Sequence, residues 1–204
     1  MIDASFERLP EEKRTRIIEG ALREFASSGY TLASTNRIVE TVGISKGSLF
    51  HYFKSKDELW LYVADFVFNR IAEIMKTHVS RMPPDLIDRL RLLAEIMLDF
   101  YISNPLYYRF FLGALDPGTS ALQQKLLSRA GKSLDLSAFF NGIDTSRFRY
   151  SPSSTFLLVK WIFSGIKQEL FELEGIKTDP GLMKGEFMNR LSDVLKALAE
   201  GIYI

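Results

Sequence analysis

The chain contains no cysteine among its 204 residues, which excludes a disulfide framework, thiolate metal sites and cysteine-based redox sensing. Histidine is nearly as scarce. Only His51 and His78 are present, and neither has a ligand-type partner at helical spacing that would suggest zinc. The sequence has no Gly-rich phosphate loop, serine elbow or cysteine nucleophile. The carboxylate pairs Asp57–Glu58 and Glu172/Glu174 read as a helix start and a solvated helix end. No catalytic residue, metal or cofactor is therefore expected, and the chain does not read as an enzyme.

Long apolar runs are also missing. The longest, Phe156 to Ile166, is interrupted by Lys160 and Ser164 and is too short to span a bilayer. The opening MIDASFERLPEEKRTR has no apolar stretch after a basic start, so no secretory signal is read there. A cytoplasmic protein with no membrane partner is the expectation. Neither sign of charge dominates: the net charge is +1, and residues 1–60 hold nine Lys or Arg against nine Asp or Glu. Such a balance does not suit a general polyanion binder.

What is present is 47% apolar residues, enough for a sizeable core, at helical spacing almost throughout. No alternating strand pattern and no internal repeat occurs, so the expected fold class is all-α. Most distinctive are residues 34–59, STNRIVETVGISKGSLFHYFKSKDEL. Ser34 suits an N-cap for a helix starting at Thr35. Ile38, Val39 and Val42 give that helix one apolar face, and Gly43 suits a left-handed C-cap. Ile44 plugs the corner. Ser45 is a second N-cap, opening a helix from Lys46 to about Phe53 with Leu49 and Phe53 inward. Ser55 begins a third helix, with Glu58 completing a capping box.

The outward chemistry of this segment suits DNA. Between residues 34 and 56, Arg37, Lys46, Lys54 and Lys56 stand against the single acid Glu40. Hydroxyls at Ser34, Thr35, Ser48 and Tyr52 can donate to phosphate oxygens, and Lys46 and Lys56 lie at helix N-termini that favour anions. Gly47 presents no side chain where a helix must approach a sugar–phosphate wall. A two-turn helix with small residues at its start fits the major groove. On the residues alone, a compact helical hairpin with a solvated basic edge is an equally open reading.

The run GISKGSLFHYFKSKDEL, with IIEGALREFASSGY at 17–30, resembles the DNA-binding signature of the TetR family of bacterial transcriptional regulators over about residues 11–62. The resemblance implies an N-terminal three-helix helix-turn-helix domain (1–56), joined by a long helix to a larger helical effector-binding and dimerisation domain (57–204). It implies that Lys46 to Tyr52, including Gly47, Ser48, Phe50 and His51, form the recognition helix. Ser34 and Thr35 would touch phosphate, and Lys56 would dock the next helix on the DNA backbone. Two departures stand out: Phe50 replaces a frequent Tyr, and Ala33 a frequent hydroxyl residue.

Beyond residue 60 the pattern gives a long helix through Leu59, Val63, Val67 and Ile74, a break at Pro83-Pro84, and a helix capped by Asp85 that carries Leu86, Leu90, Leu93, Ile96, Met97 and Phe100. An aromatic helix is expected over 106–115 and another helix over 119–139. The segment 141–154 is the longest loop and the one expected to flex. Helices near 153–174 and 180–200 close the chain. These last two are apolar on several faces and so need covering on more than one side. The resemblance implies that they pair across a two-fold axis, with Phe163, Ile166, Leu170, Leu191, Val194 and Leu198 in a homodimer interface. Two recognition helices would then lie about one DNA turn, roughly 34–36 Å, apart.

Aromatics make up 13% of the chain and cluster in the middle helices. Phe100, Asn104, Tyr107, Tyr108, Phe111, Lys160, Trp161 and Gln168 could line an apolar pocket with a few polar handles. The family resemblance implies a small effector there that lowers affinity for operator DNA, and the lining suggests a hydrophobic or aromatic one. A repressor released by such an effector is the expected function. The alternative is a helical small-molecule carrier without DNA activity, which would have no reason to expose Lys46, Gly47, Ser48 and His51 on a capped short helix.

Overall fold

Helix boundaries fall where short polar side chains and a glycine put them. Ser34 Oγ accepts the N–H of Arg37 at 3.4 Å, Ser45 Oγ that of Ser48 at 3.0 Å and Ser55 Oγ that of Glu58 at 3.2 Å. Asp85 Oδ1 takes the N–H groups of Ile87 and Asp88 at 2.8 and 3.1 Å. Each such cap is worth about 1 kcal/mol. The computed structural model describes residues 3–79, 81–114, 120–133, 141–159, 161 and 180–203. Among these the fold is all-α, and the one β feature is an isolated antiparallel bridge between Phe148 and Tyr203. The helices are α1 (Ala4–Glu7), α2 (Glu11–Leu32), α3 (Thr35–Val42), α4 (Lys46–Phe53), α5 (Lys56–Val79), α6 (Leu86–Ser103), α7 (Pro105–Ala114), α8 (Ser120–Ser133), α9 (152–159) and α10 (Pro180–Ile202).

Packing divides the chain into two compact units, residues 1–77 with 103–136 and residues 78–102 with 137–204. It draws no boundary at 56/57, a cut that would part α5 after its first residue. In the first unit α2 buries Ile17, Ile18, Ala21, Leu22 and Phe25 on one face, and α3 meets it with Ile38, Val39 and Val42. The two cross closely because residue 20 has no side chain: a Cβ at Gly20 would overlap Val42 Cγ1. Aromatic contacts join α2 and α5 to α7, with the Phe110 ring 6.4 Å from Phe25 and 5.8 Å from Trp60. Gly29 adopts φ 65°, ψ 172° and kinks the end of α2.

Two local expectations are corrected in this unit. The capping box at Ser55 is half formed. The Ser55 N–H donates to Phe53 O, and the Glu58 carboxylate lies 3.9 Å from the Arg129 guanidinium of α8, a charged partner that a backbone amide does not outbid. The short helix α1 was not foreseen. Asp3 caps it by accepting the Ser5 N–H at 2.9 Å, and Phe6 is fully buried.

In the second unit Leu86, Leu90, Ile96 and Phe100 of α6 are buried as expected, along with Ala94 and Leu98, while Leu93 and Met97 are half-buried. On α10 the buried side chains include Phe187, Leu191, Leu195, Leu198 and Ile202. Segment 141–154, expected to flex, is tied down. Asp144 N–H donates to Pro84 O at 2.9 Å and Arg149 N–H to Ile202 O at 2.6 Å, and Phe148 is buried against the Tyr203 ring at 5.9 Å. Tyr203 is the fastener. Its hydroxyl donates to Asp85 Oδ2 at 2.9 Å and accepts the Leu86 N–H at 3.1 Å. Burial, then the bond to Asp85, pushes its pKa up to about 12. Arg89 is also buried, donating to Pro83 O at 2.6 Å and Asn141 O at 2.7 Å.

Gly20→Ala should lower stability by about 1–3 kcal/mol, the usual cost of an overpacked crossing, read as a drop in the urea midpoint; an unchanged midpoint would show that α2 and α3 are not held this close. A tyrosine whose folded pKa is raised stabilises below the unfolded value and loses that contribution as pH climbs through the folded one. Unfolding free energy should therefore fall between about pH 10 and pH 12, and by less in Tyr203→Phe than in the unmodified chain.

Candidate nucleic-acid interface

The turn between α3 and α4 is built from one carbonyl and one glycine. Gly43 takes φ 69°, ψ 42°, and the N–H groups of Gly43 and Ile44 both donate to Val39 O, at 3.0 and 3.1 Å. This closes α3 and delivers Ser45 to cap α4. On α4, Leu49 and Phe53 are buried, and the Phe53 ring lies 4.6 Å from Phe6 and 5.5 Å from Tyr62. With that side anchored, Lys46, Gly47 and His51 are exposed and Ser48, Phe50 and Tyr52 are half-buried.

Gly47 differs in kind from Gly20. The nearest atom to a Cβ built at residue 47 is Ser45 Oγ at 3.8 Å, ordinary contact distance. Among the described residues nothing packs against that position closely enough to require a glycine, although a glycine in a helix costs about 1 kcal/mol relative to alanine.

The positive edge is thinner than the sequence suggests. Arg37 is held by Glu24, whose carboxylate accepts Nε at 2.9 and 3.1 Å and also Nη2. The same guanidinium donates to Leu32 O at 3.0 Å. Glu24 also accepts the Ser34 N–H at 2.8 Å, so one carboxylate braces both Arg37 and the start of α3. Arg37 hydrogen bonding holds the Glu24 carboxyl below its usual range. Lys54 lies 3.6 Å from Asp3. Lys56 donates to Thr31 O at 3.2 Å and lies 4.8 Å from the centre of the Tyr30 ring, and burial lowers its pKa. It has two further N–H donors for an outside partner. Lys46 makes no ion pair among the described residues. Ser34 and Thr35 are half-buried at the start of α3, and Ala33 is buried.

Sequence reading missed the first helix turn as part of this site. Asp3 N–H donates to Tyr52 O at 3.0 Å, Ser5 Oγ and His51 Nε2 share a hydrogen bond of 3.2 Å, and the Phe6 and Tyr52 rings are 5.6 Å apart. The signal available was Phe6, an aromatic residue set among Asp3, Ser5, Glu7 and Arg8.

The residues expected to line a pocket do not gather in one unit. Asn104, Tyr107, Tyr108 and Phe111 belong to the first, Phe100 and Trp161 to the second. Tyr108 and Phe100 are buried, Tyr107 and Phe111 half-buried, and Trp161 is 61% exposed. The Phe111 ring packs 5.7 Å from Phe68, and Tyr107 6.0 Å from Phe66. Burial raises the Tyr107 pKa. Lys160 and Gln168 lie outside the described residues, as do Phe163, Ile166 and Leu170. Of the interface residues expected on α10, Leu191 and Leu198 are covered within the chain itself, and Val194 is 39% exposed. Among the described residues no group of three or more acidic or histidine side chains could hold a metal ion, and no helix is long and apolar enough to cross a membrane.

Residues 17–63 match the sequence profile of the bacterial regulatory proteins of the tetR family. The chain is 44% identical over 63 residues to the HTH-type transcriptional repressor AcnR of Corynebacterium diphtheriae, covering 31% of this chain and 33% of that protein. It is 30% identical over 201 residues to the HTH-type transcriptional regulator YuxN of Bacillus subtilis, covering 93% of this chain and 65% of that protein. These matches thus span from a third to just under two thirds of the relatives' length. A crystal structure of a TetR family transcriptional regulator from Chloroflexus aurantiacus is similar over 100% of this chain and 99% of its own, with TM-score 0.70 and 25% identity. The local match over the helix pair and the similarity over the full chain agree: residues 17–63 match the tetR family of bacterial regulatory proteins, and the whole chain is similar to a solved TetR family transcriptional regulator.

Proposed function

We propose that this chain is a transcriptional regulator that reads double-stranded operator DNA with α4 and represses until a small hydrophobic or aromatic effector releases it. The observation that carries the reading is α4 itself, capped by Ser45 behind the left-handed Gly43 turn and anchored by Leu49 and Phe53, with Lys46, Gly47 and His51 exposed. A glycine at position 47 leaves room for the helix to approach a wall outside the chain closely. Lys46, Ser48 and His51 beside it supply charge and hydrogen bonds of the kind that contact phosphates and base edges. A helical carrier, the other reading, leaves Gly47 and the exposed Lys46 without a reason.

In this reading residues 1–56 read DNA and residues 57–204 bind the effector and dimerise. The family match supports a homodimer, as do the exposed Leu157, Trp161, Leu182 and Val194 on α9, just beyond it and on α10. Two heads make the specific contact depend on their spacing, so a modest shift of α5 on effector binding would remove much of the affinity. The aromatic cluster around Tyr107, Tyr108 and Phe111 is consistent with an apolar effector. A DNA-bound regulator works in the cytoplasm, without catalysis of its own.

The test is fluorescence anisotropy against the duplex that the full chain selects from a randomised pool, repeated with a panel of apolar aromatic compounds. Lys46→Ala should weaken binding about tenfold or more, in line with about 1–3 kcal/mol for one lost contact. Gly47→Ala should weaken binding as well while raising the melting temperature, since alanine is the better helix former by about 1 kcal/mol. Unchanged affinity in both variants would sink the assignment of α4 as the reading helix.

A further inference from the structure

The described residues offer several features that the reading of α4 does not use. Trp161 and Leu157 are exposed on one side of the last-but-one described helical stretch, but nothing shows what covers them beyond the dimerisation already proposed. Arg129 of α8 reaches Asp65 at 3.0 Å and Glu58 at 3.9 Å on α5, a plausible brace with no ligand chemistry of its own. The feature that goes furthest is the N-terminal segment Asp3 to Phe6, because its contacts converge on the last turn of α4.

Four contacts join the two. Phe6 is fully buried among the rings of Phe53, Tyr62 and Tyr52, at 4.6, 5.4 and 5.6 Å. Asp3 N–H donates to Tyr52 O at 3.0 Å, and its carboxylate faces Lys54 at 3.6 Å. Ser5 Oγ shares a hydrogen bond with His51 Nε2 at 3.2 Å. The first two contacts hold the backbone and side of the helix. The last holds one side chain on the outward face itself. An imidazole has two ring nitrogens with distinct roles, and which one carries the proton is set by what the other bonds. With Nε2 engaged by Ser5, Nδ1 is the nitrogen left for an outside partner.

We propose that Ser5 is a positioning residue for DNA reading, which orients the His51 imidazole on α4 and thereby sets the contact that this position makes with the duplex. The proposal rests on α4 being the reading helix. It makes the N-terminal segment part of the reading head, acting on DNA through His51 and without touching the duplex itself. The segment has the rigidity for this: Phe6 anchors it from below, and the Asp3 side chain caps it by accepting the Ser5 N–H at 2.9 Å.

A double-mutant cycle on the full chain separates this from a merely structural role, with the duplex selected by the unmodified chain as probe and the melting temperature followed alongside. Ser5→Ala keeps helix propensity, alanine being the best helix former, and should weaken binding about threefold to tenfold per head, the worth of one hydrogen bond, at unchanged melting temperature. Ser5→Thr, which keeps the hydroxyl, should restore affinity. In a His51→Ala background, Ser5→Ala should cost nothing further. The proposal is overturned by full affinity in Ser5→Ala, by an equal loss with or without His51, or by a loss matched by a fall in melting temperature. Normal binding by His51→Ala alone also overturns the proposal, while the reading of α4 still stands on Lys46 and Gly47; if no duplex is selected at all, the reading of α4 fails and this inference falls with it.

Discussion

An eight-residue helix does not persist by itself in water, because the cost of nucleation exceeds what two turns return. Everything about the reading head depends on how α4 is held in place. Leu49 and Phe53 are buried, each contributing about 1.5–3 kcal/mol by leaving water, and Ser45 closes the N-terminal end. The floor under Phe53 is made of Phe6 and Tyr62, residues from the two ends of the head. Once that side is fixed, the helix period leaves no choice about which residues face outward. The outward face is thus a consequence of the burial and needs no separate specification.

Charge follows a similar economy. Of the four cations in the motif, Arg37 is held by Glu24, Lys54 by Asp3, and Lys56 turns partly inward to Thr31 and Tyr30. Residues 1–60 carry no net charge, so the head exerts no bulk attraction on a polyanion. The same Glu24 that neutralises Arg37 takes the Ser34 N–H, so the carboxylate that reduces the positive edge also fixes the start of α3.

How much of this could be read from sequence divides along separation in the chain. The caps at Ser34, Ser45, Ser55 and Asp85 and the left-handed Gly43 rest on interactions within four residues, and all were legible. Glu24 with Arg37, Ser5 with His51, Phe6 with Phe53 and Tyr203 with Asp85 join distant positions, and no local pattern selects one partner over its many equivalents. Segment 141–154 has loop composition, yet its Phe148 is buried against the Tyr203 ring and its backbone bonds Pro84 and Ile202, all distant in the chain. The aromatics of the middle helices were ambiguous for another reason: a ring that packs a core and a ring that lines a pocket have the same spacing. Gly20 and Gly47 are likewise indistinguishable as letters, and only the surroundings show that one is required by Val42 and the other by nothing among the described residues.

The most direct measurement is the structure of the full chain on the duplex that it selects. The account predicts α4 lying in the major groove, with Lys46, Gly47, Ser48 and His51 against the DNA and with Leu49, Phe53 and Phe6 packed as they are in the free chain. A duplex seated on any other surface, or a head whose α4 repacks to reach the bases, would contradict it.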